Sequence, residues 1–241
     1  MITVAIVNQS SIVADTAMPA VVDALQRQVH EHFAPAWGID AALNLVARDA
    51  MPDPTWWRLV ILDDSDQADA LGYHETTASG LPQGLVFART TQEDGEKWTV
   101  TASHELLEML ADPEINLTVF VQDSDESGRL YAYEVCDAVE SVAYPIDGVP
   151  VSDFVLPSYF EPGTAGATPA APFDYCQQLT MPLPSLLPGG YIGMYQVGMG
   201  AGWTQITDLR MRPRRMVPAA GSRRMRRMLP RRRQVWRPSA R

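Results

Sequence analysis

The chain has 241 residues, of which 46% are hydrophobic and 20% are charged, so it can bury the core of one large domain or two small ones. No run approaches the ~18 apolar residues of a membrane span, and the first residues, "MITVAIVNQS", lack the basic and apolar regions of a secretory signal. The two cysteines, Cys136 and Cys176, are too few for a disulfide framework. We therefore expect a cytoplasmic protein that does not enter a membrane.

Charge divides the chain into two unlike parts. Of the 19 Lys and Arg residues 13 follow Asp208, whereas none of the 29 Asp and Glu residues does, so residues 1–209 carry a net charge of −23 and residues 210–241 carry +13. Dense arginines interrupted by prolines predict a disordered tail over 210–241. Such a tail binds nucleic acid, an acidic partner or the acidic part of its own chain, or else it only improves solubility.

The first half of the chain has the pattern of a sheet with helices. Three apolar runs, "ITVAIV", "ALNLVA" and "RLVILDD", predict strands, and "ADTAMPAVVDALQRQVHEHF" between the first two has helical spacing. Next, "GYHETTASGLPQGLVFART" predicts a turn followed by a strand, and "TQEDGEK" a polar loop. The segment "WTVTASHELLEML" predicts a strand that runs into a helix, which begins near Thr101 and ends before Pro113.

Beyond Pro113 the pattern changes to short strands and turns. "LYAYEV", "SVAYPI" and "VPVSDFVLPSYF" predict strands, residues 161–172 predict a connector, and "MPLPSLLPGGYIGMYQVGMGAGWTQI" predicts loop and edge structure. We therefore predict one α+β domain over residues 1–209. Its sheet and helix occupy about 1–112, and a part rich in β-strands and loops occupies about 113–209.

The helix predicted within "SHELLEML" concentrates ionisable residues on one face. At about 100° per residue, His104, Glu105 and Glu108 lie on that face and the leucines on the opposite one. His104 and Glu108 have the i, i+4 spacing with which two side chains bind one metal ion, and Glu105 is offset so that it could act on a bound water. A surface helix whose His and Glu face water explains the same residues without a metal.

A third ligand for such an ion is expected in "YAYEVCDAVE". Strand alternation places Glu134 and Cys136 on one face, with Asp137 beside them. Either Glu134 or Asp137 could complete a metal site. Cys136 is a softer candidate ligand, but a buried cysteine more often serves as a small core residue.

A competing motif overlaps the third ligand. "DSDESGRLYAYE" has the spacing of an EF-hand calcium loop, with Asp123, Asp125, Ser127 and Glu134 as ligands. The flanking segments do not have the pattern of the two helices that an EF-hand requires. A β-hairpin with a polar turn is the alternative interpretation.

The order of predicted elements in residues 1–112 resembles the N-terminal half of the zincin metallopeptidases, whose active-site helix follows a sheet with a substrate-binding edge strand. His104 and Glu105 match the HExxH motif of that family, and Glu108 replaces its second histidine, which gives HExxE. The resemblance implies a zincin-like mixed sheet and a zinc ion held by His104 and Glu108, with Glu105 as general base. It also places His74 on the edge strand beside the cleft, where it could contact substrate, although a solvated strand histidine is the alternative.

Three functions are therefore consistent with the sequence. The first is a zinc-dependent peptidase that acts on a peptide or protein substrate. The second is a non-catalytic interaction protein on the same scaffold, whose arginine-rich tail docks on nucleic acid or an acidic assembly. The third is a binding domain stabilised by calcium. Nothing in the sequence defines a specificity pocket, so the substrate is not predicted.

Overall fold

The computed structural model describes residues 1–67, 70–161, 172–198 and 202–208. The predicted tail, 210–241, and residues 162–171 of the predicted connector lie outside them. Among the described residues, every helix is too short or too polar to cross a membrane. The described part has the predicted α+β character, with one mostly parallel sheet and two antiparallel sheets.

The first half forms a five-stranded sheet within the described residues, in the order β2-β1-β3-β5-β4. They are β1 (Ile2–Asn8), β2 (Ala41–Val46), β3 (Trp57–Leu62), β4 (Gly72–Thr76) and β5 (Pro82–Phe87). All neighbouring pairs are parallel except β4–β5, so β4 is an antiparallel edge strand. Along β1, Val4 and Ile6 enter one core while Ala5 and Val7 enter another, because alternate side chains point to opposite faces.

The first predicted helix also forms. Helix α1 (Met18–Arg27) continues through a π-helical turn (Gln28–Phe33) into α2 (Ala34–Trp37), and Gly38 ends it with a φ of 68° that favours glycine. The predicted polar loop "TQEDGEK" is helical at its start, where α3 (Ala88–Glu93) follows β5 directly. These helices and α4 (Trp98–Ala111) are joined to the sheet through a common buried cluster.

Helix α4 ends where the sequence predicts, two residues before Pro113, but it begins earlier than predicted. The prediction of a strand at Trp98–Val100 is wrong. Thr99 and Val100 are β-branched, yet such residues cost a helix only tenths of a kcal/mol, and tertiary contacts override that preference. Here the Thr99 hydroxyl donates to the carbonyl of Pro150 at 2.7 Å, which anchors the first turn.

The second half forms an antiparallel sheet and a separate hairpin. In the described residues the sheet has the order β11-β10-β7-β6, and β8 pairs with β9. The elements are β6 (Thr118–Ser124), β7 (Ser127–Ala132), β8 (Ala143–Ile146), β9 (Val149–Ser152), α5 (Pro157–Phe160), β10 (Tyr191–Gln196) and β11 (Trp203–Thr207). The prediction of loop and edge structure over β10 and β11 is thus only partly right. Most of β10 is half-buried, so its sequence lacks a clean polar and apolar alternation.

The segment with EF-hand spacing forms the β6–β7 hairpin. Its polar turn lies at Asp125 and Glu126, and Asp123 is paired with Arg129 across the hairpin. Glu134 lies beyond the end of β7 and is buried. The two helices that an EF-hand requires are therefore replaced here by strands.

Candidate metal centre

The ionisable face of α4 is buried. His104, Glu105 and Glu108 are 8%, 7% and 4% exposed, and every residue from 102 to 111 is buried. One side of the helix contacts β4 and β5, and another contacts β9. The interpretation of α4 as a surface helix whose His and Glu face water is therefore wrong.

A short 3₁₀ turn (Asp137–Val139) lies opposite this face and brings two carboxylates to His104. The Nε2 atom of His104 is 3.3 Å from Glu108 Oε2 and 3.3 Å from Asp137 Oδ1. Its other ring nitrogen, Nδ1, is 3.0 Å from Glu140 Oε2. Asp137 and Glu140 reach the same imidazole because side chains three residues apart eclipse in a 3₁₀ turn.

The two distances from His104 Nε2 suit a tetrahedral ion. Zinc ligands lie about 2.0 to 2.2 Å from the metal, so two ligand atoms separated by a tetrahedral angle are roughly 3.3 to 3.6 Å apart. The separations from Nε2 to Glu108 and to Asp137 fall in this range. An imidazole with carboxylates is a donor set that accepts zinc and other divalent first-row metals.

Glu134 belongs to the same cluster. Its carboxylate and those of Glu108 and Asp137 each offer an oxygen, and these oxygens lie within 4.8 Å of one another. The backbone N–H of Cys136 donates to Glu108 Oε1 at 3.2 Å and so orients that carboxylate. The Cys136 side chain is fully buried, and burial raises the pKa of its thiol well above its usual value. Of the predicted ligands, Glu108 and Asp137 thus lie close to both His104 and Glu134.

His74 also meets this cluster, from the sheet side. It lies on edge strand β4 as the resemblance implies, but it is 1% exposed, so the expectation of a solvated histidine is wrong. Its Nδ1 is 3.6 Å from Glu105 Oε2. Helix α4 packs on this face of β4 and buries His74. The alternation of residues along the strand does not predict this burial.

Burial and negative charge both act on the ionisable groups. Burial lowers the pKa of His104, but the carboxylates of Glu108 and Glu140 more than offset this, and its pKa lies well above the usual value. Burial and the charge of Glu108 raise the pKa of Asp137 to about 7. In the absence of a metal, these shifts favour a protonated imidazole between carboxylates that compete for protons.

Sequence reasoning missed two residues at this site. Glu140 is not among the candidates predicted from the sequence, although its i, i+3 spacing from Asp137 is the available signal. Tyr191 is the other: burial, followed by the charges of Asp137 and Glu140, raises its pKa well above the usual value. A side chain on Gly190 would collide with the Ala138 carbonyl, so glycine there lets β10 approach the 3₁₀ turn.

Comparisons of the chain with protein-family models, curated proteins and solved structures gave no match.

Proposed function

We propose that this protein is a metal-dependent hydrolase of the zincin type that cleaves peptide bonds. His104, Glu108 and Asp137 would hold the ion, with Glu134 as a further oxygen donor. The observation that carries the proposal is the position of His104 Nε2, at 3.3 Å from both Glu108 Oε2 and Asp137 Oδ1 inside a buried cluster. A divalent ion would also offset the free-energy cost of gathering carboxylates in a region of low dielectric constant.

The arrangement of sheet and helix supports the zincin assignment. An antiparallel edge strand, β4, lies beside α4, and that helix carries His104, Glu105 and Glu108. This is the order expected from the resemblance, in which the active-site helix follows a sheet with a substrate-binding edge strand. The third ligand then comes from the 3₁₀ turn at Asp137, within the part that is rich in β-strands.

Glu105 is suited to the role of general base. A divalent ion held by the neighbouring side chains would supply Lewis acidity, which would lower the pKa of water toward about 7 and polarise a carbonyl. The Glu105 and Glu108 carboxylates approach each other to within 4.8 Å, so Glu105 lies beside the ligands without being required as one of them. It would accept a proton from the attacking water and return it to the leaving amine.

Zinc content tests this assignment. We expect one tightly bound zinc ion per wild-type chain after dialysis against zinc-free buffer, measured by elemental analysis. His104→Ala and Asp137→Asn should each weaken this binding by more than about 100-fold, because even the loss of a second-shell partner costs 10- to 100-fold. His30→Ala is the matched control, since His30 is exposed and paired with Asp40. Undiminished zinc in both site variants would exclude this set of ligands.

A non-catalytic function is the second candidate, and one observation favours it. The raised pKa of His104 allows the imidazolium to pair with Glu108, Asp137 and Glu140 without any metal. Such a network would serve the structure only, and the protein would act through binding. Purified protein that contains no metal and retains none after zinc loading would support this candidate.

A further inference from the structure

A second group of ligating side chains lies on the sheet side of α4. His74, Glu105 and Glu108 are all buried, and each offers a ligand atom within 4.8 Å of the other two. We propose that these three residues form a second site for a divalent cation, adjacent to the first and sharing Glu108 with it. The proposal extends the metal centre described above and depends on it, because the first ion would occupy the other side of Glu108.

A glycine on strand β4 allows the Glu105 side chain to approach His74 closely. Gly72 and His74 are two residues apart on β4, so they face the same side of the sheet, toward α4. A Cβ atom on Gly72 would lie 2.8 Å from Glu105 Cγ and 2.9 Å from its Oε1. Gly84 of β5 pairs with His74, and a Cβ there would lie 3.7 Å from Glu105 Cβ, which is an ordinary van der Waals contact. The absence of a side chain at Gly72 thus admits the Glu105 side chain beside His74.

The distance and the donor chemistry fit a metal ion. His74 Nδ1 and Glu105 Oε2 are 3.6 Å apart, at the upper end of the roughly 3.3 to 3.6 Å expected for two ligands of a tetrahedral ion. One imidazole and two carboxylates form a set that binds zinc, manganese or iron in the divalent state. The two proposed sites together contain four carboxylates, those of Glu105, Glu108, Glu134 and Asp137, whose formal charge exceeds that of one divalent cation. A second cation therefore enters a region that remains acidic after the first has bound.

Occupancy of the second site would have a functional consequence. A carboxylate that ligates a cation is a poor proton acceptor, because the cation stabilises its charged form. A cation held by His74 and Glu105 would therefore suppress the general-base role of Glu105. The second ion should also bind more weakly than the first, since the two share Glu108 and repel each other. Excess cation should inhibit turnover, and His74 would make the enzyme sensitive to it.

Titration of the metal-stripped, full-length protein with zinc alone tests the proposal. We expect two ions per wild-type chain at saturation, the second of lower affinity. His74→Ala and Glu105→Gln should each bind a single ion with the first affinity unchanged, while the control His30→Ala should bind two. A wild-type chain that saturates at one ion would overturn the second site and leave the first intact. Binding of no ion would instead exclude both sites.

Diffraction resolves the case in which a substitution prevents folding or zinc binds elsewhere. In zinc-loaded crystals of the wild-type protein, anomalous scattering should show a peak about 2.0 to 2.1 Å from His74 Nδ1. A saturated protein with two ions and no peak at His74 would refute the assignment to this residue. The binding and diffraction measurements need no substrate, so they stand apart from any assay of activity.

Discussion

Glu105 differs from its two ionisable neighbours on α4 in its expected contribution to binding and catalysis. As the proposed general base it would be needed for turnover but not to hold an ion at His104. Glu105→Gln should therefore keep the tightly bound zinc and lose activity by about 10² to 10⁴, the usual contribution of a positioned base. Zinc content and the rate of cleavage of a peptide library measure the two effects.

Glu126→Gln is the control for this substitution, because Glu126 lies in the exposed turn of the β6–β7 hairpin. It should change neither zinc content nor cleavage rate. Full activity in Glu105→Gln would assign the proton transfer to another group. Loss of the tight zinc ion in that variant would instead make Glu105 a ligand of the first ion.

The sequence predicts the ionisable site residues of α4 better than the site residues that other segments of the chain supply. His104, Glu105 and Glu108 were predicted as one face because a helix has a fixed angular period. Asp137 and Glu134 were predicted only as alternatives, since their chain segment has no such period. The burial of His74 was not predicted, because it depends on a helix 30 residues further along the chain. Local patterns do not encode which face of an edge strand is covered.

The elements of the second half are joined by a buried acidic pair. Asp153 follows β9, and its Oδ1 accepts the backbone N–H groups of Phe154 at 2.8 Å and Cys176 at 3.1 Å. Burial and the neighbouring Asp174 raise the pKa of Asp153 to about 7. Because the folded pKa exceeds the usual value of 3.8, protonated Asp153 stabilises the fold at low pH. This contribution is lost as pH rises from about 4 through 7.

Asp153→Asn should remove this pH dependence, since the amide keeps an oxygen acceptor for the two N–H groups and carries no charge. The difference in free energy of unfolding, Asp153→Asn minus wild type, should increase by about 3 kcal/mol from pH 5 to pH 8. Wild type loses this amount because its raised pKa covers about two pKa units of that range. Urea unfolding at each pH measures the difference. Asp125→Asn, in the exposed hairpin turn, is the control. A difference between wild type and Asp153→Asn that does not vary with pH would contradict the raised pKa.

Elements with strong periodicity were predicted well and those with mixed burial were not. The buried strands β1 and β3 and the helix α1 formed where their apolar spacing indicated. The start of α4 was missed because β-branched residues favour strands only weakly. Strand β10 was missed because Gly193 and its half-buried neighbours carry little alternation. Tertiary contacts decided both cases, and single-sequence patterns do not contain them.

In the whole molecule, the acidic part and the arginine-rich tail carry opposite net charges. They therefore interact in opposite ways with a polyanion. Residues 1–209 carry −23 and repel nucleic acid, whereas residues 210–241 carry +13 and attract it. Two outcomes are physically distinct. Either the tail contacts phosphates of a nucleic acid, or it contacts the acidic part of its own chain, which competes at a high effective concentration.

A salt titration with full-length and truncated protein decides between these outcomes. If the arginines bind nucleic acid, deletion of residues 210–241 should abolish association. In the full-length protein, log affinity should then fall with log salt at a slope of about −0.7 to −0.9 per phosphate neutralised, because each contact releases counterions. If the tail binds its own chain, full-length protein should bind nucleic acid weakly at every salt concentration. Equal binding by the truncated protein would refute a role for the tail. The zinc content of both proteins should be equal, since the proposed ligands lie between residues 74 and 140.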